Sequence, residues 1–571
     1  MASNRITNQA AARRTGSSRR RGAGFGLRRA VAVVLVVALV AGAGYLAWRT
    51  LSGNSAAERV AQTFVEEWER GGYADMWALL TPESQAEIGS ADLSSAYQEA
   101  ARTATLTELE AGELSEEDGV VTVPIGVDTE VFGALSGSVA LPVEEERIVW
   151  SPELVFPDLA EGETLTRETT APKRAALLDR KGETLVEGDA EARETVLGDL
   201  AGTVGEPSGD LKEELYKRGF PDDQLAGISG LELMFEKQIA GTPGGELRAG
   251  ERILATSEPQ EAEAVRTTLD LELYNAAGLA LGDRLGGVAV IDTRKGGVVA
   301  VAGDALTSAQ PPGSTFKVVT AAAALESGVA KPSTEYPIAG FATIDGFKLK
   351  NAHDGELCGG SFVNSFAQSC NSVFGPVGAE IGAERLVDAA ERFGVNQDPS
   401  VFGETMSTMP AASEFTSDLD VGVTAIGQGQ LLMTPLALAS IGQTIANGGK
   451  RLAPRFDPEA TEPNAERAVS RKVAGQVGEM MEAVVTEGTG GLAAVPGVKV
   501  AGKTGTAEVG LSSKDDEDEI KDHAWFLAYA PANKPKLAVA VFIANAGFGG
   551  DVAAPVASEV LQAGLGVSSA E

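Results

Sequence analysis

The sequence predicts a multidomain chain: a single N-terminal transmembrane helix, a small α+β domain, an elongated charged segment and a C-terminal α/β domain on a mainly antiparallel sheet. Three observations predict it. At 571 residues the chain is too long for one core and has room for roughly three or four domains. An uncharged stretch, Ala30 to Trp48, separates a basic head from an acidic body. After Thr267, β-branched runs around glycine-containing turns begin to alternate with helical patterns.

From Met1 to Thr50 there are nine arginines and no Asp or Glu, although the whole chain carries −34. Residues 1–29 lack apolar periodicity and are expected to form a disordered basic cytoplasmic tail. As a helix, residues 30–48 would span about 28 Å, close to the hydrocarbon thickness of a bilayer. The preceding arginines put the N-terminus in the cytoplasm, and Tyr45 and Trp48 suit the far interface. A cleaved signal peptide is the alternative, since Ala41-Gly42-Ala43 resembles a cleavage site; the apolar run continues past it, which favours an uncleaved anchor. No cysteine follows the run, which excludes a lipoprotein anchor. The rest of the chain is then expected on the extracellular side of the cell membrane, away from ATP and nucleic acid. Its acidic charge argues against binding phosphates and suits solubility.

Residues 55–157 read as the α+β domain. Val60, Phe64, Val65 and Trp68 share one face of a helix over about 56–70, which Gly71-Gly72 ends. A second helix over 73–80 and alternating strands at 120–123 and 138–141 follow. Residues 158–265 are heavily charged, with one local feature, Arg174-Ala175-Ala176-Leu177-Leu178-Asp179-Arg180-Lys181-Gly182. Residues 266–566 form the large domain. A helix begins near Asp270, a hairpin joins 287–292 to 298–301, and helices are expected at 315–326, 384–393, 435–447 and 472–486. Strands at 524–530 and 536–544 and a helix over 554–565 close it.

Three short motifs carry the chemistry: Ser314-Thr315-Phe316-Lys317, Ser369-Cys370-Asn371 and Lys503-Thr504-Gly505. Pro311-Pro312-Gly313 cannot lie inside a regular helix, so Ser314 belongs at a helix N-terminus, where an unpaired N–H and the helix dipole favour developing negative charge. Lys317, three residues on, shares its face. A serine hydroxyl needs a base, and a lysine serves as one only where burial and nearby positive charge lower its pKa; Lys503 is the candidate neighbour. The first two motifs alone are weak and Lys503-Thr504-Gly505 alone is of moderate specificity; their joint order is the signal.

Together they resemble the S-x-x-K, S-D-N-type and K-T-G set of penicillin-binding proteins and serine β-lactamases, with Pro312-Gly313, Ile426-Gly427-Gln428-Gly429 and Thr506-Ala507-Glu508 extending the likeness. Residues 174–182 are similar to the stretch opening the pedestal, or dimerisation, domain of class B penicillin-binding proteins, with Ala175 in place of a glycine. Residues 55–157 resemble, in pattern and position, a nuclear-transport-factor-like domain. The resemblance implies a transpeptidase domain with a five-stranded antiparallel sheet and an all-helical insert. It implies Ser314 as nucleophile, Lys317 as base, Ser369 as proton relay, and Lys503 orienting Ser369 while attracting a carboxylate. Asn371 would hold the substrate amide, Thr504 and Thr506 the carboxylate, and Gly505 would let substrate approach the strand. The N–H groups of Ser314 and Thr506 would form the oxyanion hole.

The implied function is peptidoglycan D,D-transpeptidation, with cell-wall stem peptides and β-lactams as ligands, the cytoplasmic membrane and division or elongation membrane proteins as partners, and no cofactor. No glycosyltransferase segment precedes the pedestal, which suits a monofunctional class B enzyme. Carboxypeptidase, β-lactamase, β-lactam sensor and inactive division scaffold are the alternatives. Cys358 and Cys370, the only cysteines, are either a disulfide or two buried thiols. His353 and His523, the only histidines, lie in no Ser-His-Asp pattern, and no Cys/His cluster suggests a metal. The acidic run 515–519 lacks the glycine and spacing of a calcium loop and reads as a solvated hairpin.

Overall fold

The computed structural model describes residues 55–188, 195–460, 466–508 and 522–567. The expected tail and membrane helix, residues 1–48, and the acidic run 515–519 lie outside the described residues. Among the described residues no helix is long and apolar enough to cross a membrane. The chain divides into two compact units: Met1–Thr169 with Lys217–Gly219 and Gly245–Ser257, and Thr170–Tyr216 with Phe220–Gly244 and Glu258–Glu571. Residues 158–265 are thus shared between them.

In the first unit a helix spans Ala56–Arg70, its N-terminus closed by a capping box between Ser55 and Glu58 and its C-terminus by Gly71 in the left-handed region. Phe64, Val65 and Trp68 are buried from this helix against Tyr97, Val121, Val123 and Leu141. Strands Val120–Thr129 and Gly133–Glu144 form the long central hairpin of a five-stranded sheet. The helix Ser90–Ala104 was not legible in the sequence. Its buried face consists of Leu93, Tyr97, Ala100, Thr103 and Ala104, a helical spacing in which only Leu93 and Tyr97 are large, so the apolar stripe is weak.

In the second unit, helix α1 (Leu271–Leu281) starts at Asp270, whose side chain caps Leu273 N. Then come β1 (Gly286–Asp292), β2 (Val298–Gly303), α2 (Lys317–Ser327), α3 (Phe362–Ala367), α4 (Asn371–Ile381), α5 (Pro435–Ala446), α6 (Arg471–Thr486), β3 (Ala501–Ala507), β4 (His523–Ala530), β5 (Leu537–Ile543) and α7 (Gly549–Leu565). The sheet order is β2-β1-β5-β4-β3, antiparallel throughout. Val288 and Val290 face a core shared with α1 and α7, while Ala289 and Ile291 face one shared with α5 and α6. Because both faces are covered, β1, β2, β4 and β5 read as nearly unbroken apolar runs, whereas β3 (Ala-Gly-Lys-Thr-Gly-Thr-Ala) does not. β3 pairs only with β4 and is an edge of this sheet.

The segment between β2 and β3 departs from the expected all-helical insert. It holds three small antiparallel pairs among the described residues: Lys450–Arg451 with Glu466–Arg467, Glu335–Ala339 with Cys358–Ser361, and Phe341–Ile344 with Phe347–Lys350. The last turns at Asp345-Gly346, both at positive φ (49° and 81°). An Asp-Gly pair between short apolar runs is a hairpin signal, and the expectation of an all-helical insert passed over it.

Candidate active site

Ser314 lies in a 3₁₀ turn, Gly313–Phe316, that leads directly into α2. Gly313 sits at φ 54°, and a Cβ there would stand 2.9 Å from Thr506 N and closer still to Thr506 O. The Ser314 turn and the middle of β3 are therefore packed backbone to backbone, an approach that only glycine allows. Gly505 obeys the same constraint, since its Cβ would meet Pro312 O at 2.7 Å. On the other side Gly313 N donates to Gly427 O at 2.9 Å.

Lys317, the first residue of α2, is 0% exposed. Its Nζ donates to Asn371 Oδ1 at 2.7 Å, to Ser369 O at 2.8 Å and to Ser369 Oγ at 3.4 Å. Lys503, also 0% exposed, donates to the same Ser369 Oγ at 2.9 Å and to Thr504 O at 3.0 Å. Burial holds Lys317 well below the ordinary lysine pKa, and the neighbouring charge of Lys503 lowers it further. Burial alone brings Lys503 to about 7. No carboxylate is hydrogen-bonded to either Nζ among the described residues, so no ion pair offsets the desolvation and the neutral amine is favoured at both.

Ser369 adopts φ 60°, a left-handed conformation unusual for serine. Its neighbour Cys370 is fully buried and disulfide-bonded to Cys358, with Cα atoms 5.6 Å apart. Export had left the choice between disulfide and free thiols open; the small sheet carrying Cys358 brings it beneath the Ser369 turn. Asn371 opens α4, and its Nδ2 donates to Lys350 O at 2.9 Å.

An open cavity of about 750 Å³ is lined by Ser314, Ser369, Asn371, Thr504 and Thr506 among others. Lys317 and Lys503 lie beneath these residues, and Gly505 forms the floor of β3. The structure thus brings together all eight residues singled out in the sequence. Thr504 differs in detail, since its Oγ1 is 2.6 Å from Thr489 Oγ1. His353 lines the cavity stacked on Phe548, ring centroids 4.2 Å apart. His523 Nδ1 accepts from Asn545 N at 3.2 Å, and its ring meets the Phe542 edge. Sequence reasoning missed Lys350, Asn351, Thr489 and Phe548, which belong to no motif and reach the site only through tertiary structure. Among the described residues no His, Cys, Asp and Glu cluster suited to a metal occurs.

Residues 286–562 match the family described as the penicillin binding protein transpeptidase domain, and residues 56–163 match the NTF2-like N-terminal transpeptidase domain. The C-terminal domain is thus a penicillin-binding-protein transpeptidase domain, with an NTF2-like domain ahead of it. The chain is 35% identical over 293 residues to the peptidoglycan D,D-transpeptidase PbpA of Mycobacterium tuberculosis, covering 46% of this chain and 56% of that protein. The chain thus spans about half the length of that relative. It is 22% identical over 631 residues to penicillin-binding protein 3 of Bacillus subtilis, covering 86% of this chain and 94% of that one. Among solved structures, the ceftriaxone acyl-enzyme complex of penicillin-binding protein A from M. tuberculosis matches with a TM-score of 0.55 and 26% identity, over 69% of this chain and 98% of that one.

Proposed function

We propose that this protein is a peptidoglycan D,D-transpeptidase working through a Ser314 acyl-enzyme. The observation that carries the reading is the pair of buried, carboxylate-free lysines meeting at Ser369 Oγ beneath the nucleophile's cavity. Neutral Lys317 takes the Ser314 proton as Oγ attacks the penultimate D-Ala carbonyl of a stem peptide. The oxyanion is held between Ser314 N–H and Thr506 N–H, whose backbones Gly313 packs together. Ser369, oriented by Lys503, relays that proton from Lys317 to the departing D-Ala amine. An amine of a second stem then attacks the ester, losing its proton along the same path, and frees Ser314. The substrate adds as a strand to the open edge of β3, and protonated Lys503 with Thr504 and Thr506 attracts its carboxylate. The rim carries Asp354, Glu356, Asp522 and Asp551, which suits an amine-bearing acceptor.

The same machinery accounts for acylation by β-lactams, in line with the antibiotic complex of the M. tuberculosis relative. We also infer that residues 30–48 anchor the protein in the cell membrane with the catalytic domain outside, that residues 158–265 act as the pedestal, and that membrane proteins of division or elongation are its partners. Incubation of purified protein with a pentapeptide-bearing cell-wall precursor tests the activity. Cross-linked dimers are the expected product; release of D-Ala without dimers would make it a carboxypeptidase.

A further inference from the structure

We propose that Asn351 is a positioning residue for the site, acting through Asn371 without touching substrate; this rests on the acyl-transfer reading above. Asn351 is 6% exposed. Its Nδ2 donates to Ala339 O and Glu356 O, both at 2.8 Å, and its Oδ1 accepts from Ser372 N at 2.7 Å. A primary amide has two donors and one acceptor carbonyl, so every polar atom of this side chain is engaged within the protein and its orientation is determined.

What those bonds hold is the start of α4. Cys370, the N-cap of α4, provides no side-chain cap. The Ser372 amide belongs to the first turn, where N–H groups have no partner inside the helix, and Asn351 supplies that partner from 21 residues away. The adjoining residue acts on Asn371 directly, because Lys350 O accepts one Nδ2 hydrogen at 2.9 Å. With Lys317 on Oδ1 at 2.7 Å, the Asn371 amide plane is pinned at both ends. Its second Nδ2 hydrogen is left to face the cavity that Asn371 lines.

Asn351 thereby couples two things that Asn371 needs. It secures the helix turn that carries the Asn371 backbone. It also ties Lys350–Glu356 to Ala339, which keeps Lys350 O where the Asn371 amide requires it. Without Asn351 the amide of Asn371 can rotate, and the Lys317 acceptor and the substrate donor lose their shared geometry together.

A double-mutant cycle on the full chain tests this, with fluorescent penicillin as the probe and the acylation rate at saturation read separately from binding. Asn351→Ala is expected to slow acylation on the order of 10-fold, a typical coupling between contacting residues, with little change in half-saturation. In an Asn371→Ala background the same substitution is expected to cost almost nothing more. Multiplicative effects, or an unchanged rate in Asn351→Ala, would overturn the inference. If Asn351→Ala does not fold, Asn351→Asp takes its place in the cycle: it keeps an acceptor for Ser372 N and loses both donors, and it is read by the same criterion. Absence of any wild-type acylation would instead overturn the functional reading, and this inference with it.

Discussion

Lys503 Nζ lies 2.9 Å from Ser369 Oγ, and both partners owe that distance to unusual local conditions. Lys503 is fully buried on an edge strand, and Ser369 stands in the left-handed region at φ 60°. A non-glycine residue held there costs on the order of 1–3 kcal/mol and persists only where its surroundings impose it. The disulfide beside Ser369 and the two lysines are those surroundings.

Ser314→Ala is expected to abolish covalent labelling by fluorescent penicillin. Ser314 is partly exposed at the cavity wall, so the melting temperature should barely change. Labelling of the variant at the wild-type level would assign the nucleophile elsewhere.

Lys317→Ala should slow acylation by at least about 10²-fold, the lower range for a general base. In the wild type, acylation should rise with pH through a group titrating well below the ordinary lysine range, as burial and Lys503 dictate. Stopped-flow acylation across pH reads both effects, and a rate still climbing only near pH 10 would exclude Lys317 as the base.

Lys503→Met should raise stability while destroying activity. Burial brings Lys503 to about 7 in the native state, against 10.5 for an ordinary lysine, so the unfolded state binds the extra proton between those values. Native stability therefore rises with pH across that window, and the cost of burying this lysine is present in full below pH 7. The stabilisation by Met should accordingly be largest below pH 7 and fade towards pH 10.5, as measured by denaturant unfolding at several pH values. A Met variant less stable than wild type at pH 6 would contradict this.

Removal of the Cys358–Cys370 link should slow acylation, because Cys370 lies between Ser369 and Asn371 and shares their backbone. Protein purified from an oxidising compartment should show no titratable thiol when denatured without reductant. Reduction, or Cys358→Ser, should lower the acylation rate; an unchanged rate after complete reduction would show that packing alone holds the turn.

Gly313→Ala should damage both fold and function, since the added Cβ meets the Thr506 backbone and cannot be relieved by a side-chain rotation. Acylation and melting temperature should fall together, whereas Gly475→Ala, within a helix and with open space around it, should lower neither.

Much of this was legible in residue order. The Ala56–Arg70 helix announced itself by its apolar face and its Gly-Gly stop, and the β1–β2 hairpin by β-branched runs around a glycine turn. Ser314, Lys317, Ser369, Asn371 and Lys503 were readable because the chemistry demands those residue types in that order. The Asp345-Gly346 hairpin was present as a signal but set aside by the family expectation of an all-helical insert. The helix Ser90–Ala104 and the start of α7 at Gly549 were hidden, the one because only Leu93 and Tyr97 mark its buried face with large side chains and the other because it opens on Gly-Gly, poor helix formers.

By itself, then, the sequence determined which atoms can react, since a nucleophile, a base and a relay are properties of side chains. Tertiary structure alone decided how basic the two lysines are, because desolvation depends on what covers them and not on what precedes them in the chain. It also decided that Cys358 reaches Cys370 and that Asn351 reaches Ser372. Those contacts are set by the packing of strands and helices 12 and 21 residues apart, and no local pattern encodes them.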